Sequence, residues 1–351
     1  MAYTTINKSS LNMNTKLYTG NGGTNAQTGV GFQPDFLWFK NRNTALNHMW
    51  FDSVRGINKY IYGNLNQAQG TSSSILTARG SDGFTVGAND NVNKSSSPIV
   101  AWNWKAGSSF SNSAGANGAT IASSGSVNAT AGFSIISYTG TNGTAKVAHG
   151  LGVAPSMIIF SSLDNGNKNR VVYHKSLTNA GSIYIDETAA SSTSYDYFAD
   201  TSPTASVFTV KKDSSYDEVN NNGTYFIAYC FAEKQGYSKI SSYKGSGNAD
   251  GTFVYTGFKP TWIMIKRTDA ANQWIMLNNK MSLYNNNTGD ELYADSNAAQ
   301  NSFTDGGADF LSNGFKLRGT NASVNVNNGS YIYMAFGQSI VGTNNIPATA
   351  R

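Results

Sequence analysis

The longest unbroken apolar runs in the chain sit inside one phrase that occurs three times. It reads GFQPDFLWFK from Gly31 to Lys40, GVAPSMIIF from Gly152 to Phe160 and GFKPTWIMIK from Gly257 to Lys266. Each copy has a glycine, two residues, a proline, one residue and then four apolar residues in a row. Four apolar residues are too few for a helix. Without polar alternation, they predict a short strand buried on both faces. Proline fits the first position of such a strand, where a missing N–H costs little.

Further landmarks recur around the phrase in fixed order. Before it comes a short strand ending in a turn, at Leu17–Gly20, Ile136–Gly140 and Ser242–Gly245. After it comes an aromatic-bearing strand, at His48–Asp52, Val171–His174 and Gln273–Met276. A polar stretch leads to SDGFTVG from Ser81, SVFTVKK from Ser206 and SNGFKLR from Ser312. An apolar strand closes each unit, at Ile99–Lys105, Tyr225–Ala232 and Tyr331–Phe336. The distance from the proline to the phenylalanine of the third landmark is 50, 53 and 55 residues. Four landmarks in one order at such even spacing predict three tandem copies of a unit of roughly 95 residues, which is domain-sized.

Within a unit, short apolar or alternating runs are separated by turn chemistry. Asn-Gly pairs recur, for example at Asn142–Gly143 and Asn222–Gly223, and both residues tolerate the positive φ of tight hairpins. Serial short strands with frequent turns predict an all-β chain of three tandem antiparallel β-sandwich domains, of jelly-roll or concanavalin-like topology. A single helical turn is expected near Asn64–Gln69 or Ala298–Gln300. The expected organisation is an N-terminal arm at 1–15, sandwich repeats at 16–106, 132–234 and 237–340, and a C-terminal tail at 341–351. Between the first two repeats, residues 107–131 are dominated by Gly, Ser, Ala and Asn and read as a flexible linker.

Composition supports that picture. Only 13% of residues are charged, against about 25% in ordinary soluble proteins, so surface polarity must come from Asn, Ser, Thr and Gly. The net charge of +5 is scattered rather than gathered into a stripe, which argues against nucleic acid as a partner. The single cysteine, Cys230, lies in an apolar run and reads as a small buried hydrophobe. No apolar segment reaches spanning length, and the N-terminus lacks the apolar core of a secretory signal, so no membrane insertion is expected and synthesis is expected in a cytoplasm.

Candidate chemistry is sparse. His48, His149 and His174 fall at non-equivalent places, without a triad or nucleophile elbow. Asp52, Asp82, Asp186, Glu187, Asp213, Asp217 and Glu218 form no carboxylate pair repeated across copies. Ala88–Asn93 and Asn248–Gly251 echo calcium loops faintly, and Asx turns explain them equally well. Asp52 and Arg55 read as an ion pair fixing a turn. No catalytic residue, metal site or cofactor is therefore expected, and the protein reads as a non-enzyme. Trp50, Tyr173 and Trp274, placed at one equivalent position by the landmarks, are candidates for stacking on glycan rings, with burial in the core as the competing reading. Tyr195, Tyr197 and Phe198 lie in a Ser/Thr-rich loop found only in the second copy. They form the candidate contact for a partner or receptor.

Taken together, the phrase GFQPDFLWFK, the segments Phe51–Gly56 and Val100–Gly107, and in the third copy Gly257–Pro260, Asp309–Arg318 and Tyr331–Phe336 resemble a domain of unknown function. That domain occurs repeatedly in virion proteins of marine tailed bacteriophages. The second copy departs most, lacking the aromatic after the first glycine and the closing lysine. The third has Asn278-Asn279-Lys280 where the first has Val54-Arg55-Gly56. The resemblance implies a virion structural protein, a tail-fibre or appendage component or a receptor-binding one. The alternatives are a lectin-like glycan-binding module and a capsid decoration or fibre protein. Its implied partners are other virion proteins, a host-surface glycan and further copies of itself in a homo-oligomer.

Overall fold

A computed structural model describes residues 4–281, 289–303 and 307–339. Nearly every regular element is an antiparallel strand, and the three copies build the same sheet. In the first copy the leading strand Met13–Thr19 pairs with the closing strand Pro98–Trp104. The closing strand pairs with the motif strand Phe36–Asn41, which pairs with the partner strand Met49–Asp52. In the second copy the same order runs Phe133–Thr139, Tyr225–Phe231, Met157–Ser162, Val171–His174. In the third it runs Ser238–Lys244, Ser330–Ser339, Phe258–Arg267, Trp274–Asn278. A small sheet accompanies each large one, built on the strands Gly83–Val86, Val207–Lys211 and Gly314–Leu317.

The unbroken apolar run of each motif strand has a direct cause. Successive side chains point to opposite faces, and here both faces are covered. Phe36 and Trp38, Met157 and Ile159, and Trp262 and Met264 all enter one inner core shared by the three large sheets. The intervening Leu37 and Phe39 enter an outer core with Phe84 and Val86 of the small sheet. Ile158 and Phe160 do the same with Phe208 and Val210, and Ile263 and Ile265 with Phe315 and Leu317. At the middle of the inner core stand three residues at one register position, Trp104, Phe231 and Phe336, each opposite the first inner residue of its motif strand. Their ring centroids lie 6.2, 6.1 and 5.9 Å apart. Equivalent residues at the corners of a nearly equilateral triangle place the three copies around an internal pseudo-threefold axis.

Several expectations are corrected. Residues 107–131 are not a free linker. They carry strands Ser108–Asn112 and Ser123–Asn128, which pair with each other and extend the second sheet beyond its leading strand. Small residues suit this edge, because a Cβ on Gly125 would lie 1.9 Å from the Ile135 carbonyl oxygen. The N-terminal arm is likewise docked, with Ile6 in the inner core and Ser9 donating to Gln338 Oε1 of the third copy. The helical turns fall at Ser9–Leu11, Asp90–Asn93 and Ala116–Gly118 rather than at the two expected places. Asn89 caps the second of these by accepting from Asn91 N, so the calcium-loop echo is an N-cap. In the third copy Pro260 sits inside the strand, at a bulge before Trp262, rather than at its start. The tail at 341–351 lies outside the described residues.

Candidate functional site

Register decides which of the predicted site residues are equivalent. Trp50 pairs with Trp38, Tyr173 with Ile158 and Trp274 with Lys266, three different places along the partner strand. The landmark alignment of these aromatics is therefore corrected. Register also sets Asn278 opposite Trp262 as Asp52 is set opposite Phe36. Asn278-Asn279-Lys280 thus corresponds to Asp52-Ser53-Val54, two residues earlier than the alignment by motif. None of the three aromatics offers a face for a sugar. Trp50 and Trp274 are in the inner core and Tyr173 in the outer core of the second copy, each at most 4% exposed.

The loop of the second copy divides. Tyr197 and Phe198 are core residues, and Tyr197 shares a 3.0 Å hydroxyl hydrogen bond with Tyr184. Tyr195 is exposed and packs edge-on against Tyr216. The loop is pinned by Asp196, which accepts from Lys211 Nζ at 2.8 Å and from Asp200 N at 2.7 Å. Of this candidate contact only Tyr195 is available at the surface.

Asp52, Asp82, His48 and His174 are engaged in holding the fold. Asp52 accepts from Val54 N, Arg55 N and the Arg55 guanidinium, as a turn-fixing pair would, and also from the Tyr229 hydroxyl of the second copy. Asp82 accepts from Gly29 N and Gly31 N. His48 takes a hydrogen bond from Trp38 Nε1, and His174 lies against the Tyr333 carbonyl of the third copy. Burial holds the pKa of all three histidines below the ordinary imidazole range, that of His174 at about 4.

The most exposed large apolar side chains include two that the sequence reading passed over. Phe253 and Tyr255 occupy alternate positions of strand Phe253–Tyr255, the edge strand of the third small sheet, and are 45% and 60% exposed. Val254 between them turns inward to the outer core. Lys316 stands opposite Phe253 and Gly314 opposite Tyr255. A side chain is excluded at Gly314, where a Cβ would lie 2.2 Å from the Val254 carbonyl oxygen. Beside the rings runs a chain of charges. Asp250 meets Lys316 Nζ at 2.7 Å and Arg318 at 2.6 Å, and Arg318 Nε meets Asp309 at 2.5 Å. The hydrogen bond from Lys316 holds the Asp250 carboxyl below its usual range, and the bond to Asp309 raises Arg318.

This shelf belongs to the third copy alone. The register of the small sheets places Ala26 and Lys146 at the position of Phe253, and Ala148 at that of Tyr255. Two half-exposed rings on an edge strand, that of Phe253 resting over Gly314 and both flanked by fixed donors and acceptors, can stack on the apolar face of a sugar while the charges bind hydroxyls. The available sequence signal was the aromatic–valine–aromatic alternation of Phe253-Val254-Tyr255. With all three apolar, the pattern does not say which side faces out.

A family model described as a domain of unknown function (DUF7483) matches residues 8–339, one match across all three copies. No curated protein and no solved structure matches the chain.

Proposed function

The chain belongs to the DUF7483 family, and we propose that it is a non-enzymatic adhesion body of a bacteriophage virion, of tail-fibre or appendage type. Its contact face is the Phe253–Tyr255 shelf, which takes a host-surface glycan. Each large sheet with its small outer sheet is read as one antiparallel sandwich, the three being fused through their inner faces. The virion setting rests on the resemblance carried by the repeated motifs. The observation that carries the contact face is the exposed aromatic pair at a position where the other copies place small or charged residues.

The test is binding to intact host cells and to a glycan array by the wild-type chain, Phe253→Ala and Tyr255→Ala. The variants stay folded, with a small loss of melting temperature for Phe253→Ala, whose ring covers Gly314, while affinity falls roughly three- to tenfold per ring, the worth of one aromatic contact. Unchanged binding by the double variant removes the shelf from the reading. Antibody labelling of virions in the electron microscope tests the setting, since an adhesion body must appear on the particle surface.

A further inference from the structure

The three seams between copies are built from equivalent positions, and one of them is filled differently. At the position of Thr15 on the leading strand the second and third copies carry Ile135 and Ile240, both buried in the inner core. The position of Lys280 is taken in the first copy by Val54, which packs against that core. Where the third copy closes on the first, the leading-strand place holds a threonine, and the partner-strand place, which is Ser176 in the second copy, holds a lysine. Asn278 donates to Thr15 Oγ1 at 2.7 Å, and Lys280 Nζ donates to Asn14 Oδ1 at 2.9 Å and to the Thr15 carbonyl at 2.6 Å. The leading strand of the first copy is also a sheet edge, whereas its counterpart in the second is covered by Ser123–Asn128.

An open groove of about 930 Å³ runs along this seam. Its walls carry Lys16, Lys259 and Lys280 with Ser10, Asn14 and Asn279, and no carboxylate is among the described residues lining it. The charge of Lys16 is felt by the Asp82 carboxyl, held low by the Gly29 and Gly31 N–H groups and by Lys16, and by Lys280, whose pKa burial and Lys16 both lower. Like charges gathered in a concave, partly desolvated place favour an anion there.

We propose that this groove binds the carboxylate or sulfate group of an acidic oligosaccharide. Three separated ammonium groups among hydroxyls and amides suit a ligand with occasional charges and many hydroxyls. A nucleic acid, with a phosphate at every residue, calls for a continuous basic track. The choice of a saccharide rests on the adhesion reading, but the groove and the aromatic shelf are separate sets of residues.

Calorimetric titration of the intact chain with four probes tests the proposal. The probes are a galacturonate oligomer, a sulfated galactose oligomer, a neutral galactose oligomer of the same length and a single-stranded oligonucleotide. One or both acidic saccharides bind, more weakly as salt rises, and the neutral one does not. The responding probe tells carboxylate from sulfate. Lys16→Gln, which touches no hydrogen bond of the seam, lowers affinity about tenfold, as expected for loss of one charge-assisted contact. Phe253→Ala leaves this binding unchanged. Equal binding of the neutral oligomer, tighter binding of the oligonucleotide, or an unaltered Lys16→Gln variant overturns the proposal. If acidic binding fails while Phe253-dependent attachment to cells persists, the groove is discarded and the adhesion reading stands.

Discussion

Tyr18, Tyr138 and Tyr243 each stand next to last in a leading strand and each donate a hydroxyl hydrogen bond to a valine carbonyl, of Val92, Val219 and Val324. The asparagine after each valine completes the device. Asn93, Asn220 and Asn325 accept from the backbone N–H of Asn21, Thr141 and Ser246, and their amides donate to carbonyls of the same turns. Glycine two residues after each tyrosine permits the approach. A Cβ at Gly20, Gly140 or Gly245 would lie 2.1–2.2 Å from a carbonyl oxygen. Replacing Asn220 by alanine orphans these groups and should cost about 1–3 kcal/mol, and Tyr138→Phe about 1 kcal/mol, in urea denaturation. A second residue-scale prediction concerns pH. Burial keeps the folded pKa of His174 near 4, against about 6.5 for a free imidazole. Its contribution is therefore complete above pH 6.5 and is lost as pH falls from 6.5 through 4. The unfolding free energy of wild type relative to His174→Gln should drop by about 3 kcal/mol over that interval.

At the scale of elements, the motif strands were legible because burial on both faces leaves an unbroken apolar run, and that signal survives in any context. The segment 107–131 was not. Its Gly, Ser and Asn composition suits a flexible linker and an edge strand alike, and only pairing with Phe133–Thr139 distinguishes them. Limited proteolysis of the folded chain should accordingly spare Ser108–Asn112 and Ser123–Asn128, and rapid cleavage there, read by mass spectrometry, would contradict the paired hairpin. The second copy shows a related compensation. It lacks the lysine that ends the motif strand, and Ser161 stands there instead. Arg170, just before the partner strand, donates to Ser161 Oγ and to carbonyls of Tyr62 and Gln67 in the first copy. Lys266 makes a comparable reach to Thr188 of the second copy. The cation is kept while its place in the sequence moves, so a search for the motif lysine misses it.

For the whole molecule, the shared inner core changes the expected energetics. Separate tandem domains would unfold independently, whereas here Trp104, Phe231 and Phe336 each depend on the other two copies. Calorimetry should give one transition rather than three, with the calorimetric enthalpy matching the van't Hoff value. Phe336→Ala should cost about 3–5 kcal/mol and lower that single transition as a whole. A first copy melting alone would refute the fused core.

The sequence by itself determined the local and the repeated. It marked the three copies, the strands within them and their turns, because periodicity and turn chemistry are properties of neighbouring residues. It also placed Cys230 and the motif residues inside, since nothing else explains so continuous an apolar run. What only the tertiary structure decided is how the copies meet and therefore which differences between them reach solvent. Trp50 and Trp274 are buried by the fusion of three inner sheet faces, and Tyr173 by the outer core of its own copy. Phe253 and Tyr255 carry no mark of exposure in the sequence and stand exposed because their strand lies at an edge, with Val254 turned inward. Exposure is fixed by what packs on the other side, and those residues lie far away along the chain.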